Sequence, residues 1–431
     1  MSFEKTGKRP PAVRESYGRV LVSAPGRADF LNTHQDYKGL PVVPVAIKLR
    51  CYSIGNANKS KYVRLTSLNL QELSEEFQDE FRLDDNQLKR HGWFGDYVRA
   101  VFNSLAGCGY ETGGMDITTW SEVPIGSGLS SSAAFEVSVT KLCAACLGYA
   151  MSAREIAEVA YRAEHDIMDI PCGRLDQYSS SFGGIINLET RPPFSIEQLD
   201  WAHLTFVIAD SEEHRRIASV HPVRQAEIDD ALKILMDEAG IPGTLARKLG
   251  YHYYGPRWED ISEGEISPFL SSLPARLANR ILFTIRMQRS TSYALAILRK
   301  SSPLPPAPAS LAPALRGHPK DPLSVLGAIM DYQHCLLRDL YEVSSPRLEN
   351  VRDKLINLGV LGAKISGAGL GGAIICLVRN QKVARTVIEA CSRSGITSIW
   401  ASTPAQGVRA EPSRIWGTLN YKRAMAGNEK T

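Results

Sequence analysis

Three short stretches of this chain gather residue types that can do chemistry. The first runs Pro124-Ile-Gly-Ser-Gly-Leu-Ser-Ser-Ser-Ala133. Gly126 and Gly128, flanking Ser127, let the backbone turn sharply and bring bare N–H groups close to a ligand. Leu129 then leads into the hydroxyls of Ser130, Ser131 and Ser132, just where a helix begins. A glycine turn that feeds a helix N-terminus collects unpaired donors and the positive end of the dipole, a setting for an anion. The pattern is neither the phosphate loop that ends in Gly-Lys-Ser/Thr nor the Gly-x-Gly-x-x-Gly of a dinucleotide site. Taken alone, it fits a capped helix after a flexible turn equally well.

The second stretch, Ala28 to Gly39 with Arg27 just before it, concentrates Arg27, His34 and Asp36 between two strand-like segments. Apart from its company it reads also as a solvated hairpin connection. The third, Asp169 to Gly184, sets Asp176 after a turn at Pro171–Gly173, at the start of another helical pattern. The helix dipole would keep a carboxylate there ionised. A cap is the simpler role for Asp176 considered by itself.

The elements that must position these groups follow from pattern. The segment Met115–Val123 alternates as a strand, and a helix reads from Ser131 through Leu147, so the first stretch is a strand, loop, helix unit. From Gly18 a strand leads to a turn at Pro25–Gly26, and a second strand spans Pro41 to Leu49. Further strands are expected near Cys51–Gly55 and Tyr62–Thr66, then a polar segment, Leu73–Lys89, and a helix from Phe94 to Leu105. Trp93 and Phe94 fit either an adenine slot or the core. A helix from Ala153 to Met168 carries Glu164 on one face. Beyond Arg191 the pattern gives a strand ending at Asp210 and helices over Val220–Asp237 and Ala275–Ile297. The proline-dense stretch Ser302 to Pro322 reads as an exposed connector. Helices over Val325–Tyr341 and Arg347–Leu358 lead to the glycine-rich Gly362–Gly372, an apolar strand Ala373–Val378, and a last helix and strand near Ala384–Ser394 and Ser398–Ala401. Residues 1–17 read as polar and loose.

The composition narrows the function. In 431 residues, 50 Lys plus Arg against 46 Asp plus Glu leave a net charge of +4, which is no nucleic-acid footprint. The N-terminal stretch has charges but no apolar core of a signal peptide, and no apolar run reaches the roughly 20 residues of a membrane helix. A cytoplasmic location is expected. The 8 cysteines show no paired-loop rhythm, and Cys143 and Cys146, inside the helix after the glycine turn, read as small buried hydrophobes.

Taken together, the three stretches carry a family resemblance. Ala24-Pro-Gly-Arg-Ala-Asp-Phe-Leu-Asn-Thr-His-Gln-Asp-Tyr resembles the galactokinase signature. Pro124–Ala133 and Lys364-Ile-Ser-Gly-Ala-Gly-Leu-Gly-Gly resemble the second and third motifs of the wider galactokinase, homoserine kinase, mevalonate kinase and phosphomevalonate kinase (GHMP) superfamily. Ala163-Glu-His, Pro171-Cys-Gly-Arg-Leu-Asp-Gln and Leu337-Arg-Asp-Leu-Tyr-Glu-Val-Ser-Ser-Pro are more specific to galactokinases. The matches keep their order from residue 18 to about 380.

The resemblance implies an α+β, two-lobed GHMP kinase fold. A mixed-sheet N-terminal lobe is expected over residues 18–195 and a ferredoxin-like C-terminal lobe over 196–420, with the active site between them. It implies ATP along Pro124–Ala133, with Ser132 and Glu164 as ligands of Mg2+. Asp176 takes the place of the family's catalytic carboxylate and Arg27 that of its positive partner. The implied reaction is phosphorylation of a galacto-configured monosaccharide at its anomeric hydroxyl, with Gly367, Gly369 and Gly371 closing over the phosphates. Sugar contacts fall on Thr33, His34, Asp36, Tyr37, Gly173, Asp176 and His221. Two positions depart from the family pattern: Thr33 stands where galactose-using members have the Glu that holds the 6-hydroxyl, and His221 stands where a Tyr precedes Pro-Val-Arg. These departures keep galacturonate and L-arabinose beside galactose as substrates. A non-catalytic sugar- and ATP-binding regulator is the alternative of another class, although Ser130–Ala134 is full length. A mevalonate-type kinase matches the second and third motifs but not the galactokinase-specific ones.

Overall fold

Strand β1 (Val20–Leu31) does not stop at Pro25–Gly26, as the sequence suggests, but runs on through Arg27 and Asp29. In this computed structural model, which describes residues 19–90, 92–213, 220–319 and 321–412, its antiparallel pairing with β2 (Val43–Ala57) shifts register between Pro25 and Arg27 and again between Asp29 and Leu31. Bulges of this kind absorb a Pro-Gly pair without ending a strand, and they re-aim the side chains that follow. Strand β2 likewise joins segments that the sequence splits near Leu49. Residues 1–17 lie outside the described residues, as do the limits drawn at 18 and 420.

The remaining strands are β3 (Tyr62–Ser67), β4 (Gln78–Arg82), β5 (Met115–Ser121), β6 (Ile185–Leu188), β7 (Ile196–Leu199), β8 (Thr205–Asp210), β9 (Gly362–Ser366), β10 (Ala373–Val378), β11 (Ile399–Ser402) and β12 (Arg409–Glu411). An eight-stranded sheet has the order β12-β1-β2-β5-β3-β4, with β6 and β7 attached through β2. The β3–β5 pair is parallel, so the sheet is mixed. A second, antiparallel sheet has the order β11-β8-β10-β9. Strand β4 falls in the polar 73–89 segment, where the sequence carries no strand signal. The β6–β7 hairpin spans the 195/196 division drawn from sequence, and β12 brings the chain back to the first sheet.

The longer helices that matter here are α1 (Phe94–Gly107), α2 (Ser131–Leu147), α3 (Ala153–Arg162), α4 (Leu175–Phe182), α5 (Val220–Asp237), α6 (Ala275–Leu298), α7 (Pro322–Cys335), α8 (Pro346–Asn357) and α9 (Gln381–Arg393). Helices α3 and α7 each give way to a π-helical turn, Ala163–Ile167 and Leu336–Leu340, before the ends expected from periodicity. Such turns offset the side chains that follow and are common at functional sites.

Strand β8 is buried on both faces. Phe206 and Ile208 join a core shared with Phe30, Val43 and Val45 of the first sheet and with α6 and α7. Val207 and Ala209 face the other way, into a core closed by α8 and α9. The first of these cores welds the two sheets together. The described part of Ser302 to Pro322 is largely exposed as expected, but Leu311 within it is fully buried and Ala312–Leu315 forms a helical turn. Proline is accepted at the first turn of a helix because its missing N–H would have had no partner there. Cys143 and Cys146 are buried in α2. Among the described residues no helix is long and apolar enough to cross a membrane.

Candidate active site

The glycine turn between β5 and α2 is built on left-handed backbone. Gly126, Gly128 and Ser130 have φ of 75°, 71° and 60°. A non-glycine residue held there is strained, and such strain concentrates at ligand sites. Ser130 is the N-cap of α2, yet no side chain caps that helix. The helix therefore presents its first N–H groups, with the positive end of its dipole, toward an anion. Beside the turn lies a cavity of about 820 Å³ lined by Pro124, Ser131 and Ser132. Leu73, Trp93, Phe94 and Trp120 form its apolar wall. Trp93 is 5% exposed and also borders the cavity.

Arg27 and Asp176 both border the same cavity. The Arg27 Nε donates to Asp176 Oδ1 at 2.7 Å, and its terminal nitrogen lies 2.7 Å from the same oxygen. Another Arg27 nitrogen donates to the Gly128 carbonyl at 2.5 Å. The bulged β1 backbone sets this geometry: the Arg27 N–H bonds the Leu129 carbonyl at 3.1 Å, and a Cβ on Gly26 would sit 2.7 Å from that same oxygen. Asp176 lies in the first turn of α4 and keeps 26% of its side chain exposed, so an oxygen remains open to a reactant.

The π turn after α3 places Glu164 beside this pair, 6% exposed. Burial and the nearby Asp176 push its carboxyl up to about 7, against the opposing pull of a hydrogen bond with Ser132. Gln177 donates to Glu164 Oε2 at 2.6 Å. Behind it lies Glu136 of α2, fully enclosed, whose carboxyl burial and Glu164 hold well above the carboxylate range.

The sugar-loop residues expected from sequence gather on one side of Asp176. Asp36 is held up to about 6 by burial, with Asp176 and Asp29 adding to it. Gly173 packs so closely that a Cβ there would lie 2.1 Å from Asp36 Oδ2. Burial, with His221 and Lys38, keeps the His34 ring well below its usual pKa and neutral. Its Nε2–H then donates to the Ala368 carbonyl at 3.1 Å, which ties the sugar loop to the second glycine loop. His221, at the start of α5, packs edge-on against His34 with 5.0 Å between ring centres and borders the cavity. Tyr37 bonds the Tyr341 hydroxyl at 2.5 Å. Thr33 is placed differently from its expected role as an open sugar contact. It is 2% exposed, and its hydroxyl accepts from the buried Lys364 ammonium at 2.6 Å.

The two glycine loops touch. A Cβ on Gly367 would lie 3.1 Å from Gly128 Cα, and one on Gly372 3.1 Å from the Ser127 carbonyl. Gly369 and Gly371, with φ of 80° and 137°, pack against the Val343 and Glu213 carbonyls. Sequence reasoning missed Asp29, Glu136, Gln177, Tyr341 and Lys364. All of these but Glu136 lie inside quoted motifs, but burial and partnership are invisible in a motif.

Family models match where these elements lie: GHMP kinases N terminal domain over residues 96–184, GHMP kinases C terminal over 315–397, and the galactokinase galactose-binding signature over 12–56. The chain carries both GHMP kinase domains together with the galactokinase galactose-binding signature, and it is similar to curated galactokinases. It is 28% identical over 404 residues to a galactokinase of Thermococcus kodakarensis, covering 90% of this chain and 99% of the relative. A Pyrococcus furiosus galactokinase is 28% identical over 385 residues, 87% and 93% of the two chains. The fold is similar to that of Lactococcus lactis galactokinase complexed with galactose, with a TM-score of 0.74 and 24% identity over 92% of this chain and 95% of that one. It is also similar to the Methanococcus jannaschii mevalonate kinase, with a TM-score of 0.61 and 17% identity over 91% and 100%. The two-lobed α+β GHMP kinase architecture and the sugar kinase activity expected from sequence both stand.

Proposed function

We infer that this chain transfers the γ-phosphoryl group of ATP to the anomeric hydroxyl of galactose, giving the sugar 1-phosphate and ADP. One observation carries this reading: the Arg27–Asp176 pair opens onto the cavity that also meets the uncapped start of α2. An acceptor group and an anion site therefore share one cleft. Phosphoryl transfer asks mainly for alignment and charge stabilisation, which such a cleft supplies. The curated relatives are galactokinases, which favours galactose over galacturonate, arabinose or a purely regulatory role.

In this reading the triphosphate lies along Pro124–Ala133, with the base against Trp93, Phe94 and Trp120. Asp176 accepts, or orients, the proton of the anomeric hydroxyl, and Arg27 keeps that carboxylate aligned. Arg27 also offsets charge that develops on the transferred group. Asp36, with Gly173 packed against it, accepts from the sugar hydroxyls, while neutral His34 and Tyr37 hold the loop. Gly367, Gly369 and Gly371 close the phosphate side.

The residues fit a hard divalent cation. Glu164 is a carboxylate that burial disfavours in its charged form, with a serine hydroxyl as its neighbour, and a cation would relieve that cost. Ser132 and Glu164 would hold Mg2+, with phosphate oxygens and water completing its shell. Bound there, the ion would neutralise phosphate charge.

A coupled ADP-release assay over a panel of monosaccharides tests the reading. Galactose is expected to give the highest kcat/KM. No ATP turnover with any sugar would overturn it.

A further inference from the structure

The loop Gly367–Gly372 is held in place by hydrogen bonds from three of its N–H groups. Leu370 N–H donates to the Val343 carbonyl at 2.7 Å, and Gly372 N–H to the Glu213 carbonyl at 3.2 Å. Both of those anchors come from the half of the chain that carries the second sheet. The third differs. Gly367 N–H donates to Asp29 Oδ2 at 3.0 Å, and Asp29 belongs to β1 of the first sheet.

Asp29 is bound to the 364–367 segment at every polar group but one. Its own N–H donates to Ser366 Oγ at 2.9 Å, and its carbonyl accepts from Lys364 Nζ at 2.8 Å. The remaining oxygen, Oδ1, is buried without a hydrogen bond and lies 3.4 Å from Arg27 Nε. One side chain thus touches both the loop that covers the cleft and the guanidinium that holds Asp176. Residue 29 is 5% exposed and shares its strand with Arg27, so the bulge that aims one also aims the other.

We propose that Asp29 is a positioning residue that latches the Gly367–Gly372 loop onto the strand bearing Arg27, and so sets how the nucleotide phosphates are enclosed. The proposal rests on the reading of this cleft as a kinase site. The latch needs an acceptor at the Asp29 Oδ2 position and does not need its charge. Removing the acceptor leaves the Gly367 N–H unpaired and lets the loop drift from Ser127 and Gly128, which line the phosphate side. The penalty should fall on nucleotide binding, because Arg27 keeps its bonds to Asp176 and the Gly128 carbonyl.

The test compares Asp29→Ala, Asp29→Leu and Asp29→Asn with wild-type protein, in steady-state kinetics and in calorimetric titration with ADP and magnesium. Asp29→Leu fills a similar volume without an acceptor, whereas Asp29→Asn keeps a carbonyl oxygen for the Gly367 N–H. Both removal variants are expected to raise KM for ATP and weaken ADP binding by about tenfold, the scale of one buried N–H left without an acceptor. The sugar KM and the kcat at saturating ATP should stay within about threefold, in line with loss of binding common to ground and transition states. Asp29→Asn should return ATP KM to within about threefold of wild type. An unchanged ATP KM in a folded removal variant would overturn the latch, as would failure of Asn to rescue. If both removal variants unfold while Asp29→Asn does not, the residue serves the core and the proposal also falls. Failure of the kinase reading shows separately, as wild-type protein that neither binds ADP nor turns over any sugar.

Discussion

Gly173→Ala probes the sugar side of the cleft without altering any group that does chemistry. The backbone at Gly173 needs no left-handed conformation, so alanine itself is not strained there. Its whole cost lies in the 2.1 Å between the added Cβ and Asp36 Oδ2. That spacing is more than an ångström short of van der Waals contact, so the Asp36 carboxylate must retreat by about 1 Å. A carboxylate moved that far loses the length and angle of its hydrogen bonds to sugar hydroxyls. Charged hydrogen bonds contribute about 1.5–3 kcal/mol, so kcat/KM for galactose should fall by roughly 10- to 100-fold. ATP KM should stay within about twofold, because Gly173 does not border the nucleotide cavity. Steady-state kinetics with each substrate varied in turn, together with a melting curve, make the measurement. A folded variant with galactose kcat/KM within twofold of wild type would show that Asp36 does not read the sugar, and the reasoning would fail.

Asp176→Asn keeps shape but removes the proton acceptor that Arg27 aligns, so kcat should drop at least ~100-fold with ADP affinity nearly intact. Near-normal turnover would remove Asp176 from the mechanism. Because burial, Asp176 and Asp29 lift Asp36 to about 6, its carboxylate is the minor form below that pH and loses the charge that strengthens its hydrogen bonds from the sugar. The galactose kcat/KM should therefore fall as pH drops through about 6, and a profile flat between pH 5 and 7, on the order of one unit either side, would contradict the role given to Asp36. Ser132→Ala and Glu164→Gln should each raise the magnesium concentration that activity requires while leaving the melting temperature near wild type. A variant that unfolds with an unchanged magnesium requirement would mark its residue as structural.

Local sequence determined a great deal about this protein, because several of its functional elements are local. Gly126, Gly128 and the serines that follow specify a turn and the start of α2, and Ser131–Leu147 emerges with the bounds read from its apolar pattern. Val220–Asp237 and Ala373–Val378 were legible for the same reason, since periodicity and β-branching act within a few residues. Motif order supplied the family, and with it Arg27, Glu164 and Asp176 as partners, although 149 positions separate the first from the last.

Tertiary structure decided what depends on neighbours distant in sequence. A Pro-Gly pair reads locally as a turn, yet β2 and the Leu129 carbonyl hold β1 extended through it and so aim Arg27 and Asp29 into the cleft. Periodicity continued α3 and α7 past the π turns because one inserted residue changes no residue type. Thr33 reads as a residue facing the sugar until Lys364, 331 positions away, takes its hydroxyl. Leu311 looks exposed among prolines until the core between the two sheets encloses it. Burial, and the charge states it imposes on Asp36, Glu164 and Glu136, arises only when distant segments exclude water together.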